Sequence, residues 1–138
     1  MSRVSPLAVD GVEIETPLSA ITATATSAHV QVAGAKGVAI QFTEGGTVLN
    51  RSGVLTITVS VDGGASFQAF SMLLDNAANS SVQGLTRVAS KTRASAGTDL
   101  MWIEQDILKG ITHLKATVTI TDSSTPTGNF TVIVAVCY

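Results

Sequence analysis

In Val54-Leu55-Thr56-Ile57-Thr58-Val59-Ser60-Val61, Leu55, Ile57, Val59 and Val61 alternate with Thr56, Thr58 and Ser60. An extended chain places alternate residues on opposite faces, so the stretch predicts a strand with one face in a core. Leu114-Lys115-Ala116-Thr117-Val118-Thr119-Ile120-Thr121 repeats the pattern, with Leu114, Ala116, Val118 and Ile120 inward. Weaker alternation runs through residues 21–25, 29–33, 38–43, 67–74 and 100–103. Turn formers separate these stretches: Gly34-Ala35-Lys36-Gly37, Glu44-Gly45-Gly46, Asp62-Gly63-Gly64, and residues 122–129 with Pro126 and Gly128. Short strands rich in Thr and Val at this spacing predict an all-β fold, an antiparallel β-sandwich of jelly-roll or immunoglobulin-like kind.

A helical period is missing. Glu104 to Lys109 suffices for one turn before Gly110 and is expected to join two strands. The last strand is different again. Phe130, Val132, Val134, Val136 and Tyr138 alternate with Ile133, Ala135 and Cys137, so neither face carries charge. Both faces are therefore expected to be covered, by the fold itself or by another subunit.

A chain of 14.1 kDa fits one domain that can bury roughly two thirds of its unfolded surface. The division expected is an N-terminal arm over residues 1–17 and a sandwich domain over residues 18–138. The arm turns at Asp10-Gly11 and carries Leu7, Val9, Val12 and Ile14 as candidate interface residues. Alternating apolar residues of this kind can add a strand to a neighbour's sheet, the alternative being a frayed end. Residues 75–99 exceed the ~12–15 of an ordinary connection, so they should hold a strand, placed near residues 82–90, or a functional loop. Arg87, Lys91 and Arg93 fall in this segment, either as a solvated stretch or as a docking surface for an acidic partner.

Only 13% of residues are charged, against about 25% in an average domain. Mean hydropathy is +0.39 and the net charge −2. Little self-repulsion remains, which fits a surface covered by neighbours; a surface rich in neutral Ser, Thr, Asn and Gln is the alternative. The same balance offers no footing for nucleic acid. No secretion signal and no apolar membrane span of ~18 residues stands in the sequence, so the chain is expected to be soluble, without a membrane partner. The single Cys137 cannot form an internal disulfide, and no local base or cation activates it.

Candidate chemistry is sparse. His29 and His113 have no Cys or second His at metal-ligand spacing, and a lone strand histidine is more often a hydrogen-bonded surface residue. Glu104 and Asp106 would share one side of a strand, as paired carboxylates of a glycosidase can, although two acids beside a loop are usually solvated. Trp102 is the candidate sugar platform, but its neighbours Leu100, Met101 and Ile103 suggest burial. No cofactor or metal is expected, and no catalytic residue is assigned.

Ser60-Val61-Asp62-Gly63-Gly64-Ala65-Ser66-Phe67 resembles the Asp box, Ser/Thr-x-Asp-x-Gly-x-Ser/Thr-aromatic, through Ser60, Asp62, Gly64, Ser66 and Phe67. Sialidase-like propellers repeat that box blade after blade, each blade taking about 40–50 residues. Here it stands once, and the resemblance implies a hairpin turn in which the aspartate accepts hydrogen bonds from the turn, not an active site. Taken as a whole, the chain resembles the small β-sandwich proteins of tailed-bacteriophage virions. The turn after Ser60, the late strand pair in Lys115-to-Val136 and the scarcity of charge carry that resemblance. It implies a non-enzymatic capsid decoration or cement subunit that binds the major capsid protein or another virion protein. It also implies a homo-oligomer, often a trimer, made in the host cytoplasm and placed in the virion. A tail or neck subunit and the carbohydrate-binding module of an adhesin are the alternatives.

Overall fold

The structure, a computed structural model, describes residues 11–76 and 84–138. Among the described residues, ten strands and one helical turn follow one another: β1 (Val12–Ile21), β2 (Ala25–Thr26), β3 (Val30–Gln31), β4 (Gly37–Ser60), β5 (Gln68–Phe70), β6 (Met72–Asp75), β7 (Leu85–Val88), β8 (Ser90–Arg93), β9 (Gly97–Glu104), α1 (Gln105–Leu108) and β10 (His113–Cys137). The fold is all-β. All ten strands belong to one antiparallel sheet whose main path runs β1-β10-β4-β9-β6-β7 and does not close. The segment from Glu104 to Gly110 is the expected single turn, with Gly110 at φ +82° after it.

Two strands organise everything else. β4 and β10 pair antiparallel from His113↔Ser60 to Cys137↔Gly37. This corrects two expected turns. Glu44-Gly45-Gly46 and residues 122–129 are not hairpins; they lie opposite each other inside the long ladder, where the register shifts between Asp122 and Thr127 and again before Asn129. Gly46 (φ +77°), Asn50 (φ 56°), Thr125 (φ 53°) and Gly128 (φ +115°) supply the backbone irregularity. Because each strand deviates where its partner does, the ribbon bends and the pairing survives.

On one side of the bend β1 adds to β10, β9 adds to β4, β6 to β9 and β7 to β6. On the other side β2 and β3 pair with β10, and β5 and β8 with β4. Inward residues of both halves form one core: Val38, Ile40 and Phe42 with Val132, Val134 and Val136, and Leu55 and Ile57 with Leu114, Ala116 and Val118. The Phe42 and Phe130 rings stack at 5.7 Å.

Five details depart from the sequence reading. Val61, expected inward, is 71% exposed, because β4 ends at Ser60, whose own side chain turns in. The stretch 67–74 holds two strands, β5 and β6, and 21–25 is not one strand: it runs from the end of β1 at Ile21, across residues 22–24, to the start of β2 at Ala25. Residues 75–99 hold β7 and β8 and the start of β9; the strand expected at 82–90 begins at Leu85, and residues 82 and 83 lie outside the described residues. Finally, the two faces of the last strand differ. Phe130, Val132, Val134 and Val136 are buried, while Ile133 and Ala135 are partly exposed, and Cys137 and Tyr138 are exposed. Only one face is covered within the chain, as far as the described residues show.

Candidate functional site

Three places in the fold gather side chains that the sequence singled out. The first is the Asp62 turn between β4 and β5. Asp62 Oδ1 accepts from Ser60 Oγ (2.6 Å), from the Ala65 amide (3.1 Å) and from the Ser66 amide (3.0 Å). Its Oδ2 accepts from Ser66 Oγ at 2.6 Å. Ser60 Oγ in turn accepts from the Gly64 amide at 2.9 Å, and Gly64 sits at φ +94°. These donors hold the Asp62 carboxyl well below the usual carboxylate range, the Ser60 hydroxyl foremost and the Ser66 hydroxyl next. The Ser60, Asp62, Gly64 and Ser66 pattern is thus spent on hydroxyl and backbone donors of its own turn.

The topology brings both histidines to this turn, which sequence spacing concealed. His29 stands between β2 and β3, and its ring meets Phe67 at 5.3 Å and His113 at 5.5 Å, both edge to face. Lys115 Nζ lies 4.4 Å from the Phe67 ring centre, a cation–π contact that covers one ring face. His113 Nδ1 shares a 2.9 Å hydrogen bond with Thr112 Oγ1, and the Gly63 amide donates to the same oxygen at 3.2 Å. Among the described residues, no group of three or more His, Cys, Asp or Glu is placed to hold a metal ion.

The second place is the bend. Arg51 grips Asp122 with two bonds, Nε to Oδ1 at 2.8 Å and Nη2 to Oδ2 at 3.0 Å, and donates Nη1 to the Gly128 carbonyl at 2.6 Å. Beside it stands Glu44, expected in a turn but 1% exposed, with neither carboxylate oxygen in a well-formed hydrogen bond among the described residues. Burial raises its pKa, against the opposing pull of Arg93, Arg51 and the Ser95 backbone amide.

The three cations read as one basic stretch are not one patch. Arg87 lies on β7 and bonds Glu104 at 2.9 Å. Lys91 and Arg93 lie on β8, which pairs with the other half of β4, and share Asp99 at 3.9 and 2.8 Å. Glu104 ends β9 while Asp106 is helical, with Lys109 at 4.0 Å, so they do not share one side of a strand.

The third place is the outer face of the sheet on the β1 side of the bend. Register sets Ile14, Ala135, Ala39, Trp102 and Leu73 side by side across five strands, with Ile133, Gln41 and Leu100 in the next row. All are partly exposed or, like Gln41 and Leu100 (38%), open to solvent. Trp102 is therefore not buried by its neighbours: strict alternation sends Met101 and Ile103 into the core and Trp102 out. Val12 pairs with Cys137 on this face and Ile14 with Ala135, so both candidate arm residues belong to the chain's own edge strand. Leu7 and Val9 lie outside the described residues. Across the bend the outward residues of the same two long strands are Val54, Thr56, Thr58, Lys115, Thr117 and Thr119, so the outer face there is mainly polar. No helix among the described residues is long and apolar enough to cross a membrane.

No protein-family model matches the sequence, and no curated protein matches it. Among solved structures, the crystal structure of SPBc2 prophage-derived protein YomS is similar in fold, with a TM-score of 0.65. The match covers 92% of this chain and 93% of that one at 12% sequence identity.

Proposed function

We propose that the chain is a non-enzymatic structural subunit of a bacteriophage particle, a capsid decoration or cement protein located in the virion. It would bind the major capsid protein or another virion protein and stabilise the shell as a homo-oligomer. The observation that carries this reading is the open apolar face around Trp102, on a sheet whose other face already has its core. Such a face loses water-exposed apolar surface only against a partner, and that burial drives assembly. A likeness in fold to a prophage-derived protein supports the phage setting. In this reading the bent ribbon is a β-sandwich, with β4 and β10 contributing to both leaves around one core. A tail or neck position would use the same face.

The engagement of Asp62 by its own turn supports a structural role for the Asp box-like residues. Particles lacking the protein should bind the purified chain saturably, and cryo-electron microscopy should find it at regular positions on the shell. An intact particle that takes up no protein at any surface would overturn the reading.

The partial exposure of Trp102 favours a second reading, a carbohydrate-binding module, since an indole face open to solvent can stack on a sugar ring. Its cross-strand neighbours Leu73 and Ala39 offer no side-chain hydrogen bond to sugar hydroxyls, and on the adjacent strand Gln41 is the amide in the next row, which ranks this reading below the first. Quenching of Trp102 fluorescence across a broad glycan panel tests it, and a flat response discards it.

A further inference from the structure

We infer that residues 94–96 are a flap over the Glu44 carboxyl group, closed when Glu44 is protonated and opened to water when it is ionised. The inference stands apart from the assembly reading and needs no partner.

Position makes the flap. β8 pairs with β4 beyond the bend, ending at Arg93 opposite Gly53, and β9 pairs with β4 before it, starting at Gly97 opposite Glu44. The three residues between them therefore cross from one half of the sheet to the other beside Glu44. Ala94, Ser95 and Ala96 are exposed, while Glu44 is 1% exposed. The Ser95 backbone amide reaches toward the carboxylate without a well-formed bond. One short surface connection thus covers a buried acid. It ends at Gly97, whose φ of +148° suits glycine and where a Cβ would collide with the Arg93 guanidinium.

The charges around Glu44 are committed elsewhere. On β4, Arg51 is bound to Asp122 of β10 and to the Gly128 carbonyl. On β8, Arg93 bonds Asp99 of β9 at 2.8 Å, and Lys91 stands 3.9 Å from the same carboxylate. Among the described residues, no cation donates to either Glu44 oxygen. An ionised carboxylate so placed gains more from water than from its surroundings, and a protonated one does not. Arg93 holds the flap by long bonds, Nε to the Ser95 carbonyl and Nη2 to the Ala96 carbonyl, both at 3.3 Å. Breaking them hydrates Glu44 and leaves the β4 ladders paired, which is a local opening of low cost.

The direction with pH follows from the two states of the carboxyl. In the open flap it meets water, where a glutamate titrates near about 4.3. In the closed flap burial raises that value. The opening constant therefore climbs as pH rises between the two values and levels off above the higher one. Acid shuts the flap.

Amide hydrogen exchange on the full-length protein, followed by NMR from about pH 4 to pH 8 and corrected for intrinsic exchange, tests this. The Ser95 amide should open roughly threefold or more as often on the neutral plateau as at the acid end. It should also open far more often than Leu55 in the β4–β10 ladder. Glu44→Gln, which cannot ionise, should keep the acid-side opening throughout. A carbon-13 titration of the Glu44 carboxyl in the parent gives a reading that needs no variant: Ser95 opening must level off at that midpoint. Opening of Ser95 that ignores pH overturns the inference. So does a profile that survives in the Gln variant, or one that levels off away from the Glu44 midpoint. Protection of Ser95 equal to that of Leu55 overturns it as well, because exchange would then require the whole fold to open.

Discussion

The ring of Phe130 lies so close to Gly53 that a methyl group on that glycine would sit 2.6 Å from two ring carbons. Gly53 belongs to the second half of β4 and Phe130 to the last half of β10, so this contact fastens the two sides of the bend together. Phe130 is fully buried and stacks on Phe42, which leaves its ring little room to withdraw. The backbone of Gly53 has no left-handed φ, so space alone is at issue. Gly53→Ala is expected to destabilise the fold by about 1–3 kcal/mol through overpacking. Urea denaturation measures the loss, and Phe130→Leu in the same chain should recover part of it. An alanine variant as stable as the parent would mean that the bend is not closed by this contact.

Asp62 gives the fold an acid-sensitive joint. Its carboxyl is held below the ordinary aspartate value by the Ser60 and Ser66 hydroxyls and by amides of the turn. A group whose folded pKa is depressed contributes stability that is complete above its unfolded value, about 3.9, and is lost as pH falls through the lower folded value. Asp122, lowered by its hydrogen bonds from Arg51, acts in the same direction. Melting temperature should therefore fall as the solution is taken below about pH 4. Asp62→Ala should melt lower than the parent at neutral pH and show a flatter acid limb. An acid limb identical in parent and variant would remove Asp62 from this account.

Gly64 is constrained twice. Its φ is +94°, and a Cβ there would stand 2.7 Å from His29 Nδ1. Gly64→Ala should cost about 1–3 kcal/mol from the backbone term alone. Combining it with His29→Ala removes the collision but not the backbone strain, so the double variant should recover only part of the loss. A thermal-melt double-mutant cycle with no coupling between the positions would show that the histidine yields freely.

How far the sequence disclosed this molecule depends on which physical signal a residue carries. Leu55, Ile57 and Val59 are buried and Thr56 and Thr58 are not, because period two is a property of the strand itself. The Asp62 turn was legible because its hydrogen bonds are local, within four residues. The bend was not legible: Gly45-Gly46 and residues 122–129 carry turn chemistry, and only their placement opposite each other in the ladder makes them parts of strands. The meeting of His29 with His113, and the row from Ile14 to Leu73, depend on register between distant strands. Trp102 could have been found, since alternation with Met101 and Ile103 already puts it on the opposite face. The burial of Glu44 had no local sign beyond its even spacing from Phe42.

Glu44 reverses the direction of pH dependence seen at Asp62. It is 1% exposed and neither oxygen has a well-formed hydrogen bond among the described residues, so its ionised form is desolvated. Arg93, Arg51 and the Ser95 backbone amide oppose that effect without cancelling it, and the pKa stays raised. A carboxyl whose folded pKa exceeds its unfolded value, about 4.3, binds more protons when folded. Its contribution favours folding at low pH and is lost as pH rises through the raised value. Glu44→Gln keeps the shape and removes the charge, so it should raise the melting temperature at pH 7. The gain should shrink as pH is lowered toward 4, where the parent carboxyl becomes protonated. The two arginines keep Asp122 and Asp99 as partners in the variant, so neither is left as a lone buried cation. A Gln variant less stable than the parent at pH 7 would show that attraction to Arg51 and Arg93 outweighs burial, making Glu44 a fastening of the bend instead of a strained charge within it.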